Sequence, residues 1–190
     1  MRLVRLHFNG LLLHKYERCS REIKIESNPV ELKNLSDKDL IKLYPALLKE
    51  LRVRGIAKTK NVVGEFGEYI TKRIYSETPN FPKLQDAPAS TKNIDAISVK
   101  GERYAIKASS GNNTGVFASL PLEDDGKVYF EYLVVVLFDE DYQLKMILEA
   151  DWSVFLKYRR IKKPEGKWYM PINQDFIRSC KSIPFESLRL

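Results

Sequence analysis

Cysteine and histidine are scarce in this chain of 190 residues, which has two of each. Cys19 and Cys180 stand far apart and outside any CxxC spacing, which excludes a disulfide framework and favours a reducing compartment, most simply the cytoplasm. His7 and His14 have no cysteine companions, so we expect no zinc site. A Ser-His-Asp or Cys-His nucleophile would have to use one of these histidines, and nothing singles either out.

Long apolar runs are also missing. The longest extends from Tyr132 to Phe138, which is too short to cross a bilayer and predicts a central strand. The first residues contain two arginines and a mild apolar run but no small-residue cleavage site, so we expect no signal peptide. The sequence therefore predicts no membrane partner.

Positive charge is in excess. The chain has 32 lysines and arginines against 25 acids, a net charge of +7, and 44% hydrophobic residues, which is typical of a globular protein. The basic excess favours a polyanion partner, most simply nucleic acid, although a lysine-rich surface without such a partner would look the same. We expect residues 36–190 to form one domain and residues 1–35 to be packed on it or appended to it.

The predicted elements follow an order typical of a mixed sheet with helices. Ser36 caps a first helix that ends at Gly55, and Pro45 either kinks this helix or starts a new one. The elements expected after it are a helix over 63–75, a loop over 76–92, a hairpin over 94–107, a polar loop over 109–114, strands over 129–138 and 144–148, a helix over 152–161 capped by Asp151, a turn over 162–167, a strand over 168–172, and a short helix from Asn173 or Gln174. The fold class is therefore α/β or α+β, with a central mixed β-sheet flanked by helices.

The hairpin carries an acid and an amine that suit phosphodiester chemistry. Asp95 opens its first strand and Lys107 lies at the end of its second. A hard cation such as Mg²⁺ takes carboxylate and carbonyl oxygens, so Asp95 and the main-chain carbonyl of Ile106 are candidate ligands. Lys107 is then placed to orient or deprotonate an attacking water and to stabilise developing charge. The alternative is a surface hairpin with an incidental ion pair.

The second helix carries two glutamates on one face. Glu65 and Glu68 are three positions apart, so their side chains point the same way. Gly64 and Gly67 each cost the helix about 1 kcal/mol relative to alanine, which makes sense where something packs or binds closely against the backbone. The alternative is an ordinary solvated pair at a helix N-terminus, which the helix dipole favours.

Taken together, the helix glutamate, the turn-rich loop, the aspartate, the short hairpin and the lysine resemble the PD-(D/E)XK restriction-endonuclease-like superfamily. Residues 51–69 and the strand Gly101-Glu-Arg-Tyr-Ala-Ile-Lys107 look like small bacterial nuclease-like domains, in which that strand typically reads Gly-Lys-Arg-Tyr-Gln-Ile-Lys. The resemblance covers about residues 36–160. It implies a restriction-endonuclease-like fold that cleaves double-stranded DNA with Mg²⁺, or with Mn²⁺ as a substitute. It also implies Asp95 as the main metal ligand, Glu68 as the helix acid, Lys107 as the catalytic lysine and Glu65 as a second helix acid.

Ala105 departs from that pattern, because the family has Gln or Glu at this position and alanine has no ligating atom. Alternation puts Ala105 on the same face as Lys107, so the missing ligand would have faced the site. Three explanations stay open. The acid has moved, with Glu102 or Glu123 as candidates; the site works weakly without it; or the residue was substituted, naturally or by engineering, so that the chain binds DNA without cleaving it.

Several polar and basic residues are candidates for contacts with DNA phosphates or base edges. They are Lys58, Lys60, Lys72, Arg73, Ser109, Ser110, Asn112, Asn113, Lys157, Arg159 and Arg160. The alternative for the residues between Ser109 and Asn113 is a flexible surface loop. For Lys157, Arg159 and Arg160 it is a solvated helix end, where cations are favoured. The resemblance also implies a homodimer, because two active sites must reach two strands.

Three functions follow from these residues. The first is a metal-dependent DNA endonuclease of restriction type. The second is a DNA-binding or regulatory module on the same fold, which Ala105 favours. The third is an interaction subunit in which the charge only solubilises the protein.

Overall fold

The structure is a computed structural model that describes residues 31–59, 61–88, 91–163 and 165–185, together with the backbone of His7–Phe8 and Leu11–Leu12. His14, Cys19 and Lys60, which the sequence analysis considered, lie outside these ranges. The chain divides into two compact units, residues 1–55 and 56–190.

The first unit contains a short antiparallel pair of strands, β1 (His7–Phe8) and β2 (Leu11–Leu12), and helix α1 (Asp37–Val53). Ser36 caps α1 as expected, since its hydroxyl oxygen accepts a hydrogen bond of 3.3 Å from the Asp39 amide. The helix continues through Pro45 without ending there.

The second unit is built on a six-stranded sheet. Its strands are β3 (Leu84–Asp86), β4 (Ala96–Ser98), β5 (Arg103–Ser109), β6 (Tyr132–Phe138), β7 (Leu144–Asp151) and β10 (Lys181–Ser182). They lie in the order β10-β7-β6-β5-β4-β3. β5 and β6 are parallel and every other pair is antiparallel, so the sheet is mixed. This α+β architecture, with helices against the sheet, confirms the predicted fold class.

The predicted hairpin is present as β4 and β5, joined through Gly101 at a positive φ of 86°. β3 lies inside the segment 76–92, which we expected to be a loop. This strand has only three residues and exists by pairing with β4, so no periodic pattern announces it. β10 has two residues and was not predicted for the same reason, since it exists by pairing with β7.

The helix after β7 is shorter than predicted. α3 covers Trp152–Tyr158 rather than 152–161, although its cap is the expected Asp151, whose carboxylate accepts a hydrogen bond of 2.9 Å from the Val154 amide. The backbone of Arg159 has already left the helical region, with a ψ of 147°. The basic residues that follow therefore lie on a strand and not on a helix end.

That strand, β8 (Arg160–Lys162), pairs antiparallel with β9 (Lys167–Tyr169) across the predicted turn. A last helix, α4 (Gln174–Ser179), begins where the sequence predicts it, because Asn173 accepts a hydrogen bond of 2.9 Å from the Phe176 amide. Within the described ranges, no helix has the length and apolar character needed to cross a membrane.

Each face of the six-stranded sheet carries its own core. Helix α2 (Val62–Glu77) covers one face, where its Ile70, Ile74 and Tyr75 pack with Tyr104 and Ile106. On the other face, α3 and the crossover between β5 and β6 cover the sheet with aromatic side chains. The buried aromatic residues of this second core are Phe117, Phe130, Phe155 and Phe176.

Gly67 allows α2 to approach the sheet closely. A Cβ atom at this position would lie 2.6 Å from the Cβ of Ala108 on β5 and 3.7 Å from that of Val136 on β6. Atoms of real side chains do not approach so closely, so the helix would have to move. The glycine therefore fixes how near Glu68, the next residue, comes to the sheet.

We predict that Gly67→Ala lowers the free energy of unfolding, measured by urea denaturation. Overpacking costs about 1–3 kcal/mol, which exceeds the gain of about 1 kcal/mol in helix propensity. Gly64→Ala is the matched control in the same helix, since a Cβ there meets only the flexible end of the Asn61 side chain. The control should be neutral or stabilising by up to about 1 kcal/mol. Equal effects of the two substitutions would contradict the packing argument.

Candidate functional site

Asp95 lies where the β4–β5 ladder ends. The last pair of the ladder is Ala96 with Tyr104, and beyond it the Asp95 side chain takes over. Its Oδ2 accepts a hydrogen bond of 2.7 Å from the Ile106 amide, which has lost its partner on β4. The preceding Asn93 turns the chain away with a φ of 60°, a conformation that asparagine tolerates. The carboxylate of Asp95 is thereby held against the backbone between Ala105 and Lys107.

Glu68 approaches the same point from helix α2. Its carboxyl group is partly buried, and no described residue donates a hydrogen bond to it. Burial, and after it the negative charge of Asp95, raise the pKa of Glu68 above its ordinary value of 4.5. Nearby lysines, Lys72 first, act in the opposite direction without cancelling this rise. The two carboxylates are therefore near enough for their like charges to act on each other.

Lys107 lies on the opposite face of β5 from helix α2. Its neighbours Tyr104 and Ile106 face α2, so alternation along β5 turns Lys107 towards the core that contains Phe117. The ammonium nitrogen lies 5.1 Å from the centroid of the Phe117 ring, a distance at which the ring face attracts a cation. Among the described residues, no ion pair within 4.0 Å joins Lys107 to Asp95 or Glu68.

Ala105 is buried in that second core, with only 1% of its surface exposed. It is packed in the cluster that contains Phe117 and Leu133, and Leu133 is its partner on β6. A longer polar side chain at this position would have to displace apolar neighbours or reach past them towards Asp95. The missing ligand position is therefore filled by packing and is not an open gap.

Glu65, the second helix glutamate, is occupied by the turn before α2. Its two oxygens accept hydrogen bonds of 2.9 Å each from the backbone amides of Lys58 and Thr59. Burial opposes ionisation of this carboxyl group, but these hydrogen bonds outweigh it and lower its pKa. Glu65 therefore stabilises the turn that leads into α2.

Sequence reasoning missed Asp86, the last residue of β3. Its carboxylate pairs with Lys58 at 2.9 Å and with Lys72, both of which were candidates for DNA contacts. These pairs tie α2 and the segment before it to the edge strand. The signal was hidden because Asp86 is 28 and 14 residues away from its partners and lies in a segment without strand periodicity.

The remaining candidates for DNA contacts lie in three places. Arg73 pairs with Glu77 at 2.8 Å on the exposed side of α2. The loop after β5 is closed on itself, because the Ser109 hydroxyl donates to the Asn113 carbonyl at 2.7 Å. Three basic residues near the end of α3 lie together, and Arg159 stacks at 4.1 Å on the Trp168 ring. These three residues are Lys157, Arg159 and Arg160. The other two candidates, Ser110 and Asn112, belong to the loop after β5.

Neither acid proposed as a replacement for the one missing at position 105 comes to Asp95. Glu102 accepts a hydrogen bond of 2.9 Å from the Ser98 hydroxyl in the hairpin turn. Glu123 belongs to the acidic loop that continues with Asp124 and Asp125, beside the Trp152 side of the second core. Glu68 and Asp95 are therefore the carboxylates that the fold assembles here.

The donor set fits a magnesium ion. Among the described residues, no group of three or more His, Cys, Asp or Glu side chains comes together as a metal site. Mg²⁺ keeps several waters and is usually held by one or two carboxylates together with substrate phosphates, so a pair is sufficient. Glu68 and the Oδ1 atom of Asp95 supply such a pair, and the Ile106 carbonyl remains a predicted third ligand.

Comparisons with protein-family models and with curated proteins find no match for this chain. The chemistry of the site therefore has to be argued from its own residues.

We predict that Glu68→Gln stabilises the protein at pH 7 in the absence of divalent cations. The folded-state pKa lies above the unfolded value near 4.5, so the folded protein binds the proton more tightly and loses stability as pH rises from that value through the folded pKa. Glutamine has no such penalty. Urea denaturation should show a gain for the variant at pH 7 that disappears below about pH 4.

Glu77→Gln is the matched control on the same helix, since Glu77 is exposed and paired with Arg73. This control should lose a little stability at pH 7 and gain none. A Glu68→Gln effect that is independent of pH would contradict a raised pKa of Glu68.

We predict that Ala105→Gln lowers the free energy of unfolding by about 1–3 kcal/mol, because the larger amide must enter the packed core beside Phe117. Ala105→Ser, which adds a single oxygen atom, should cost less. Thermal unfolding followed by circular dichroism measures both. If glutamine is tolerated as well as serine, space for a third ligand is present after all.

Proposed function

We propose that this chain is a metal-dependent nuclease that hydrolyses phosphodiester bonds of double-stranded DNA, most simply as a restriction-type endonuclease. The observation that carries the proposal is the pair of carboxylates, Glu68 and Asp95, at the end of the β4–β5 ladder. Burial, and after it the charge of Asp95, raise the pKa of Glu68, and perturbed acids of this kind cluster at functional sites.

Two neighbouring carboxylates favour the binding of a divalent cation between them. A bound Mg²⁺ would polarise a phosphate oxygen and lower the pKa of a coordinated water. Asp95 contributes one oxygen while the other holds the Ile106 amide, so its position is fixed by the backbone before any ligand arrives. Glu68 supplies the second carboxylate from a helix whose distance to the sheet is set by Gly67.

Lys107, the residue after Ile106 on β5, supplies positive charge. Its ammonium is attracted to the face of the Phe117 ring, which limits where the long side chain lies. A protonated lysine there is suited to stabilising the negative charge that develops on a phosphate during hydrolysis. The proposed roles are therefore metal binding for Glu68 and Asp95, and charge stabilisation for Lys107.

The excess of positive charge supports a DNA substrate, since neutralising phosphates releases condensed counterions and drives association. We also propose that the chain acts in the cytoplasm and as a homodimer on duplex DNA. Both follow from the resemblance and the cysteine usage, and both fit an enzyme that must cut two strands.

The burial of Ala105 favours a second candidate, a DNA-binding or regulatory module without turnover. The position that would carry a further ligand is packed with apolar side chains, so catalysis has to work with two carboxylates. In this alternative, binding of duplex DNA depends on salt but no strand is cut.

Nicking of supercoiled plasmid in Mg²⁺ or Mn²⁺ tests the proposal and separates the candidates. We expect the unmodified chain to nick, and Asp95→Asn to reduce the rate by about 100-fold or more, since the charge that binds the cation is lost. Asparagine keeps an oxygen for the Ile106 amide, so this variant should fold. Lys107→Met should lower the rate as well, while Lys145→Met, on an exposed part of β7, should not.

Ala105→Glu distinguishes a weakened enzyme from a binding module. Nicking only by this variant would support the second candidate, with Ala105 as the cause of inactivity. If neither the unmodified chain nor Ala105→Glu nicks DNA, and Asp95→Asn leaves metal binding unchanged, the site assignment is wrong.

A further inference from the structure

An open groove of about 330 Å³ lies in the second unit, between the loop after β5 and the β8–β9 hairpin. Its lining combines two cations, two apolar or aromatic side chains and two small polar ones. They are Lys162, Lys163, Ile161, Tyr169, Asn113 and Thr114. None of the roles proposed for Glu68, Asp95 and Lys107 uses this groove.

The walls of the groove are fixed by two hydrogen bonds between main chains and one from a main-chain amide to a hydroxyl. The Thr114 amide donates to the Met170 carbonyl at 2.9 Å, and the Met170 amide donates back to the Thr114 hydroxyl at 2.9 Å. The Ile172 amide donates to the Asn112 carbonyl at 2.8 Å. Residues 112–114 are therefore paired in an extended, strand-like way with residues 170–172, which follow β9. A binding surface built in this way is held in shape before a ligand arrives.

The charge around the groove is strongly positive. Residues 157–167 contain six lysines and arginines and one acid, Glu165. Glu165 pairs with Lys162 at 2.8 Å, whereas no described carboxylate pairs with Lys163. Ile161, with 46% of its surface exposed, adds an apolar area next to these cations. A ligand for this groove has to combine negative charge with a flat apolar part.

We propose that the groove binds one unpaired nucleotide of a DNA single strand. The phosphate lies against Lys162 and Lys163, the base packs on Tyr169 and Ile161, and the Asn113 amide faces the edge of the base. Aromatic stacking combined with backbone cations is the general way in which proteins hold single strands. The volume is at the lower end of pockets that hold small ligands, about 300–1,000 Å³, which suits one nucleotide and is too small for a duplex.

The inference sharpens the substrate class. Asn113 follows Lys107 by six residues along the chain, so the groove begins where the strand that carries the lysine ends. A DNA with an unpaired segment beside the duplex, such as a flap, a junction or a melted end, is then the substrate that engages both places. This reading of the substrate rests on the proposed nuclease function, whereas nucleotide binding in the groove does not.

Fluorescence anisotropy with a labelled oligothymidylate of about twelve nucleotides, without divalent cations, tests the proposal. Lys163→Glu should weaken binding by about tenfold. Lys145→Glu is the matched control, because it changes the net charge equally at an exposed site on β7 outside the groove. The control should weaken binding by about twofold or less. An equal loss in both variants would show that only general charge is sensed and would overturn the proposal.

Tyr169 tests the contact with the base. Tyr169→Leu should weaken oligothymidylate binding while Tyr169→Phe, which keeps the ring, should not, with thermal unfolding confirming that both variants fold. Photocrosslinking of an oligonucleotide that contains 5-iododeoxyuridine should place the base on the peptide containing Tyr169. Crosslinks confined to other peptides, or competition by inorganic polyphosphate as effective as that by oligothymidylate, would contradict a nucleotide site.

The two proposals fail separately. Binding of the single strand in the groove without any nicking of plasmid would leave this inference standing and sink the nuclease. If the unmodified chain nicks plasmid and Lys163→Glu and Tyr169→Leu bind oligothymidylate as well as it does, the nuclease proposal stands and the nucleotide site is wrong.

Discussion

The hydrogen bond from the Ile106 amide to the carboxylate of Asp95 is the interaction on which the site depends. It completes the ladder at the point where β4 turns away through Asn93. The bond also fixes one carboxylate oxygen against β5 and leaves the other without a described donor. A structural requirement, the pairing of a buried backbone amide, thereby places a charged group against the backbone of β5. Asp95 therefore both pairs with the backbone of β5 and offers an oxygen for the proposed cation.

The second constraint is the close approach of helix α2. Because Gly67 has no side chain, the helix backbone comes near to Ala108, and Glu68 is carried towards Asp95. The lysines that flank this helix are held by Asp86 at the sheet edge, so they leave the like charges of the two acids only partly compensated. A buried acid beside a like charge is typical of sites that bind a ligand of opposite charge.

Strong local signals predicted much of this arrangement. The β4–β5 hairpin, the central strand β6, and the caps Asp151 and Asn173 were predictable because each depends on a short pattern of apolar alternation or a capping side chain. Three other short strands, β3, β8 and β10, were not predictable, since they exist only through their partners. Helix α3 was predicted too long because the strand propensity of Ile161 is outweighed in sequence by its basic, helix-compatible neighbours.

The candidate site was predictable as a set of residues but not as a geometry. The order of Glu68, Asp95 and Lys107 is visible along the chain, whereas the placement of α2 with Glu68 on one face of the sheet and of Lys107 on the other is not. The packing of Ala105 among core residues was equally hidden, because the sequence shows only which atom is missing and not what fills the space. The pairing of Lys58 and Lys72 with Asp86 depends on β3, which the sequence does not reveal.

Titration with Mn²⁺ followed by electron paramagnetic resonance tests the central claim, that Glu68 and Asp95 together hold a divalent cation. We expect one Mn²⁺ bound by the unmodified chain and loss of that binding in Glu68→Gln combined with Asp95→Asn. Glu65→Gln, at the acid whose oxygens hold the backbone before α2, should keep the ion wherever the variant remains folded. Equal binding of Mn²⁺ by the unmodified chain and the double variant would contradict the account.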